Sequence, residues 1–154
     1  MDSTTELLTK LRSDHPDIAF FALADLQLRA ITRGEHPPEV LPELLRMVDD
    51  RGSQLKIRQI AVTALPTFAP TNEQAKKAIL TALQDPHPFV RREALQALIG
   101  MKNLLSEDLD AIRAMASDPD NGVADWSEIA LRNIAASNKP KGSGQDPDPI
   151  AQFN

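Results

Sequence analysis

Residues 85–98 read Asp85-Pro86-His87-Pro88-Phe89-Val90-Arg91-Arg92-Glu93-Ala94-Leu95-Gln96-Ala97-Leu98. The stretch is a proline-marked turn followed by an apolar stripe at i, i+3 and i+4 spacing, the period of a helix and not of a strand. It recurs. Residues 15–26 echo it as His-Pro-Asp-Ile-Ala-Phe-Phe-Ala-Leu-Ala-Asp-Leu, and residues 57–65 as Ile-Arg-Gln-Ile-Ala-Val-Thr-Ala-Leu. A fainter copy is Trp126-Ser-Glu-Ile-Ala-Leu-Arg-Asn-Ile134. Aligned this way, Ala22, Ala61, Ala94 and Ala130 mark one position in four successive copies. The step from copy to copy falls within the range of helical repeats. It points to a stacked array of helix pairs, each unit burying its neighbour's apolar face.

Working outward, each unit divides into two helices. In the first unit Leu7, Leu8 and Leu11 precede Ile18, Ala22, Leu23 and Leu26, with His15-Pro16-Asp17 between them. Proline in a first helical turn loses nothing, because that amide has no intrahelical partner. In the second, Pro37-Pro38 opens a helix carrying Val40, Leu41, Leu44, Leu45 and Val48. Asp49 to Ser53 is the turn, and Ile57, Ile60, Ala61, Ala64 and Leu65 follow, with Pro66 expected to end or bend that helix. The third opens at Thr71 or Asn72 as N-cap and closes at Gly100. The fourth opens at Ser106-Glu-Asp, read as a cap with an acidic first turn, and ends near Ala136. The expected architecture is all-α: a solenoid of about four antiparallel helix pairs over residues 1–136, with units at 5–33, 37–69, 72–101 and 106–136. Residues 137–154 are polar and rich in Gly and Pro, the composition of a flexible tail. Its end, with Ile150 and Phe153, also has the makings of a short docking motif.

Composition narrows the chemistry. The 154 residues include five Phe, one Trp, no Tyr and no Cys. A core of small aliphatic residues suits close helix packing, and without cysteine there is neither a disulfide framework nor a thiolate. The amino terminus lacks the basic and apolar regions of a signal peptide, and no apolar run approaches the roughly 18 residues of a membrane helix. The expectation is a cytoplasmic protein without membrane contact. A net charge of −5 works against binding a phosphate backbone.

These residues resemble HEAT repeats, close to the short bacterial type that includes the phycobilisome-lyase HEAT-like repeats. The resemblance rests on Asp85-Pro86, Val90-Arg91, Ala94 and Ala97-Leu98, and extends to Ile57, Arg58, Ala61, Ala64 and Leu65. It implies an α-solenoid. It also implies a ladder between neighbouring repeats, made by an aspartate in the turn and an arginine in the second helix. Asp85 and Arg91 match those positions and Arg58 matches the arginine, whereas Ala19 and Ser127 stand in the arginine's place in the outer units.

In such a family the second helices line the concave face, so the outward positions become candidate protein-binding residues. They are Phe20, Gln59, Arg92, Gln96 and Arg132. Phe20 has two readings, as an exposed aromatic anchor or as packing on the end of unit one. Phe21 shares a row with Ile60 and Ile129 and is expected to be semi-buried; Trp126, placed with Val90 and Ile57, is expected in the core. The partner is expected to be another protein, with nucleic acid disfavoured.

No catalytic constellation, cofactor site or metal site is legible. His15 and His87 share a turn position, and Gly34-Glu-His36 has no metal-binding spacing. The leading expectation is a non-catalytic protein-binding scaffold or adaptor. A bilin-lyase-type subunit is an alternative by fold analogy alone, and a nucleic-acid binder using Arg58, Arg91, Arg92 and Arg132 is another.

Overall fold

The computed structural model describes residues 2–49 and 54–137. Asp50 to Ser53 of the expected turn and residues 138–154, with Ile150 and Phe153, lie outside the described residues. The described elements are α1 (Thr4–Leu11), α2 (Pro16–Arg33), α3 (Val40–Asp49), α4 (Leu55–Phe68), α5 (Glu73–Ala82), α6 (Pro88–Ile99), α7 (Ser106–Ala114), a 3-10 turn (Met115–Ser117) and α8 (Asn121–Ser137). They pair as α1/α2, α3/α4, α5/α6 and α7/α8. The result is the α-solenoid that the repeat predicts.

Local chemistry sets the ends of these helices. Ser3 and Glu6 form a reciprocal capping box at α1, and Asn72 accepts from the Ala75 amide at 2.9 Å. His15 and His87 are both N-caps followed by proline at the first helical position. Gly34 ends α2 at φ 68°, the left-handed conformation that glycine adopts without a Cβ clash. Ser106 is not the cap of α7: Leu105 holds that place, and Asp108 reaches back to the Leu105 amide at 2.7 Å. Pro66 does not end α4, which runs on to Phe68.

The second helices α2, α4, α6 and α8 pack on one another in sequence, while the first helices touch only lightly. The tighter layer lies inside the curve, so the second helices form the inner face. Their buried faces merge into one core, in which Leu23, Leu26, Leu65, Leu95 and Leu98 are fully buried.

The register of the fourth unit departs from the sequence alignment. Val123 and Ser127 are fully buried, like Val90 and Ala94, whereas Trp126 is only partly buried against the core. Asp118 Oδ1 accepts from the Asp120 amide at 2.9 Å, as Asp85 Oδ1 accepts from the His87 amide at 2.9 Å. Unit four therefore aligns with unit three through Asp85 and Asp118, and through Val90 and Val123, and not through Ala94 and Ala130. Trp126 shares a position with Glu93 and Ile60 instead of Val90. Arg132 leaves the row of Gln96, where Ile129 now stands. Ser127 takes the place of Ala94, its hydroxyl satisfied by the Ile112 carbonyl at 2.6 Å.

Candidate functional site

The ladder positions come together first. Arg58 on α4 donates from Nε and Nη2 to the two carboxylate oxygens of Asp85, at 3.1 and 3.3 Å. One unit later, Arg91 on α6 makes the same paired contact with Asp118, at 2.9 and 3.0 Å. Arg91 also donates to the Asp85 carbonyl at 2.9 Å, joining the two rungs. A forked guanidinium on a carboxylate fixes geometry as well as charge. Burial alone would raise the Asp118 pKa; the hydrogen bonds from Arg91 and the Asp120 amide outweigh it and hold the carboxyl below its ordinary value. The sequence expectation does not include Asp118. A signal for it exists all the same: Asp118-Pro119 repeats Asp85-Pro86, and each aspartate stands at the same distance beyond its arginine.

The ladder stops at both ends for reasons visible in the register. Ala19 is fully buried where Arg58 and Arg91 have their guanidinium stems. At the far end, Ala124 stands where the next arginine would be.

Between α2 and α4 the inner face opens into a groove of about 380 Å³, lined by Phe20, Leu23, Ala24, Gln27, Lys56, Gln59, Ile60, Thr63 and Glu93. Its lining combines apolar Phe20, Leu23, Ala24 and Ile60 with polar Gln27, Lys56, Gln59, Thr63 and Glu93. Phe20 is 37% exposed, and Lys56 Nζ lies 5.1 Å from the centre of its ring. Lys56 also pairs with Asp17 at 2.8 Å, and that contact holds the Asp17 carboxyl below its ordinary value. Across the rim, Thr63 Oγ1 donates to Glu93 at 3.1 Å.

Of the five candidate binding residues, only Phe20 and Gln59 line this groove. Gln96 is half-buried on α6 outside it. Arg92 turns away: its guanidinium lies 3.7 Å from Asp120 and 5.4 Å from the Phe89 ring centre, against Gly122. Arg132 is on α8, paired with Glu128 at 3.2 Å. Lys56, Ile60 and Glu93 were missed because each faces the neighbouring second helix, a relation that pairwise packing creates. Phe21 is 69% exposed and not semi-buried. It is the counterpart of Ile60, but α2 is the first of the described second helices and has no earlier one on that side.

The four arginines of the alternative basic groove, Arg58, Arg91, Arg92 and Arg132, each face a carboxylate. Among the described residues no cluster of three or more His, Asp or Glu is placed to hold a metal ion. No described helix is long and apolar enough to cross a membrane.

Comparison with known proteins agrees with this geometry. A family model for HEAT repeats matches residues 51–132. No curated protein matches the sequence. Among solved structures, the crystal structure of an engineered protein, a Northeast Structural Genomics Consortium target, superposes with a TM-score of 0.57 at 20% identity. The match covers 88% of this chain and 63% of that one, and it speaks for the fold alone.

Proposed function

The chain belongs to the HEAT repeat family, and from that premise we propose that it is a non-catalytic protein-binding scaffold or adaptor whose contact site is the α2–α4 groove. The observation that carries this reading is Phe20: a half-covered aromatic at the mouth of an apolar groove, ringed by Lys56, Gln59, Thr63 and Glu93. An aromatic anchor inside a polar rim is the usual anatomy of an interface hot spot. The groove's ionisable side chains are Lys56 and Glu93, and Lys56 is already paired with Asp17. That set favours recognition over acid–base chemistry.

Affinity purification of the full chain with mass spectrometry tests the proposal. Phe20→Ala is expected to lose the captured protein partner while the helical circular dichroism stays unchanged, as truncation of a hot-spot aromatic costs about 2 kcal/mol or more of binding. An unchanged set of captured proteins would exclude the groove.

A further inference from the structure

Among the described residues, α2 and α8 at the two ends of the second-helix layer carry exposed or partly covered apolar side chains. On α2, Ile18, Phe21, Leu28 and Ile31 are exposed in one stripe, Ile31 at 75%. Ile18 and Phe21 are the counterparts of Ile57 and Ile60 in the register that aligns Ala22 with Ala61. Ile57 and Ile60 are partly buried against the core, and Ile60 lines the groove opposite α2. At Phe21 the stripe thus continues the surface that α4, through Ile60, turns toward α2. At the other end, α7 and α8 frame a mostly apolar groove of about 410 Å³ with Leu109, Arg113, Leu131, Arg132 and Ala135 in its lining. Leu131 is the counterpart of Leu98 in the register that aligns Val123 with Val90. Leu98 is fully buried inside the array, and Leu131 only partly.

We propose that the α2 stripe of one molecule docks on the α7–α8 groove of a second copy of this chain, continuing the stack from molecule to molecule. Two observations favour a second copy over another occupant. The two surfaces are the open halves of one interface that the chain already makes between each pair of neighbouring second helices. The terminal helices α2 and α8, with 18 and 17 residues, match in length and exceed α4 and α6, with 14 and 12. End units of a soluble repeat array ordinarily carry polar outer faces, and this one carries an apolar face of the kind that marks an interaction site. Because the two surfaces differ, the contact is heterologous and open-ended, not a closed two-fold dimer.

Analytical ultracentrifugation of the full chain tests this, with two exposed double variants. Leu28→Glu/Ile31→Glu blocks the stripe, and Arg113→Glu/Ala135→Glu blocks the groove; circular dichroism checks that each retains its helicity. The wild-type mass is expected to rise with concentration past that of a dimer. Each variant alone is expected to be monomeric, and an equimolar mixture is expected to form 1:1 heterodimers and nothing larger, since one productive joint remains. If the groove-blocked variant still self-associates, the stripe pairs with itself and the proposal fails. A wild-type chain monomeric at up to about 1 mM, the weak end of the affinity scale, also overturns it and leaves the stripe to another protein or to the chain's own C-terminal residues.

Discussion

The joint between α4 and α6 and the joint between α2 and α4 are built from the same repeat and end differently. The first keeps the regular step of the array, Arg58 to Arg91 being the same distance in sequence as Asp85 to Asp118. It is tied by the Arg58–Asp85 rung and closed where Pro66 meets Gly100. The second breaks that step, because Ala22 lies farther before Ala61 than Ala61 does before Ala94. Ala19 stands there where the arginine stands elsewhere. Gly52 precedes Asp85 by the same step that separates Asp85 from Asp118, so neither half of a rung is present in the sequence. An exposed Lys56–Asp17 pair joins the edge of this joint, and water screens such a pair. The regular joint is shut and the irregular joint holds the groove.

Removing a rung is the strongest way to break that contrast. Arg58→Ala leaves the Asp85 carboxylate buried without its cation and is expected to cost about 3–5 kcal/mol in urea unfolding. Lys56→Ala at the open joint is expected to leave stability nearly unchanged, because water replaces the lost partner. Next comes Gly100→Ala. A methyl group there would stand 2.9 Å from Pro66 Cβ, part of a rigid ring, so the helices must part, at about 1–3 kcal/mol. The φ of −82° at Gly100 is ordinary, so this glycine serves close approach and not a special backbone conformation.

Acid sharpens the comparison with a smaller effect. The folded Asp118 pKa lies below its unfolded value of about 3.9. Its stabilising contribution is therefore present above about pH 4 and is lost as pH falls through the lower folded value. Thermal unfolding below pH 4 is expected to show a shallower loss in Arg91→Met, where that pairing is already gone. The smallest effect is expected at Gly122→Ala. The added methyl would meet Arg92 Nη2 at 2.3 Å, but that is the free end of a flexible side chain. Ala also favours a helix over Gly, by up to about 1 kcal/mol. Stability should change by no more than about 0.5 kcal/mol, within the range of surface substitutions, and a cost near that of Gly100→Ala would show that Arg92 is a fixed part of the α6–α8 joint.

The helix pairs were legible because apolar spacing and proline-marked turns are local signals. The fourth register was not, because Ala130 and Ile134 imitate Ala94 and Leu98 when residues are matched by type. The burial of Val123 and Ser127 and the Asp118 turn move Val123 into the place that Trp126 takes in the sequence alignment, and the repeated Asp-Pro pair is the one sequence signal that agrees with them. Phe20 was legible as a candidate for the same local reason, being an aromatic in an otherwise polar row. Arg92 fits that row equally well, and its guanidinium is drawn away by Asp120 and Gly122 of the next unit.

The sequence by itself determined the helical repeat, its family resemblance and the arginine positions of the ladder, since each is written in residue type at fixed spacing. Tertiary structure alone decided which joints close. That depends on what faces a side chain across two units: a proline on a glycine, a guanidinium on a distant aspartate, or, between α2 and α4, a phenylalanine beside open space.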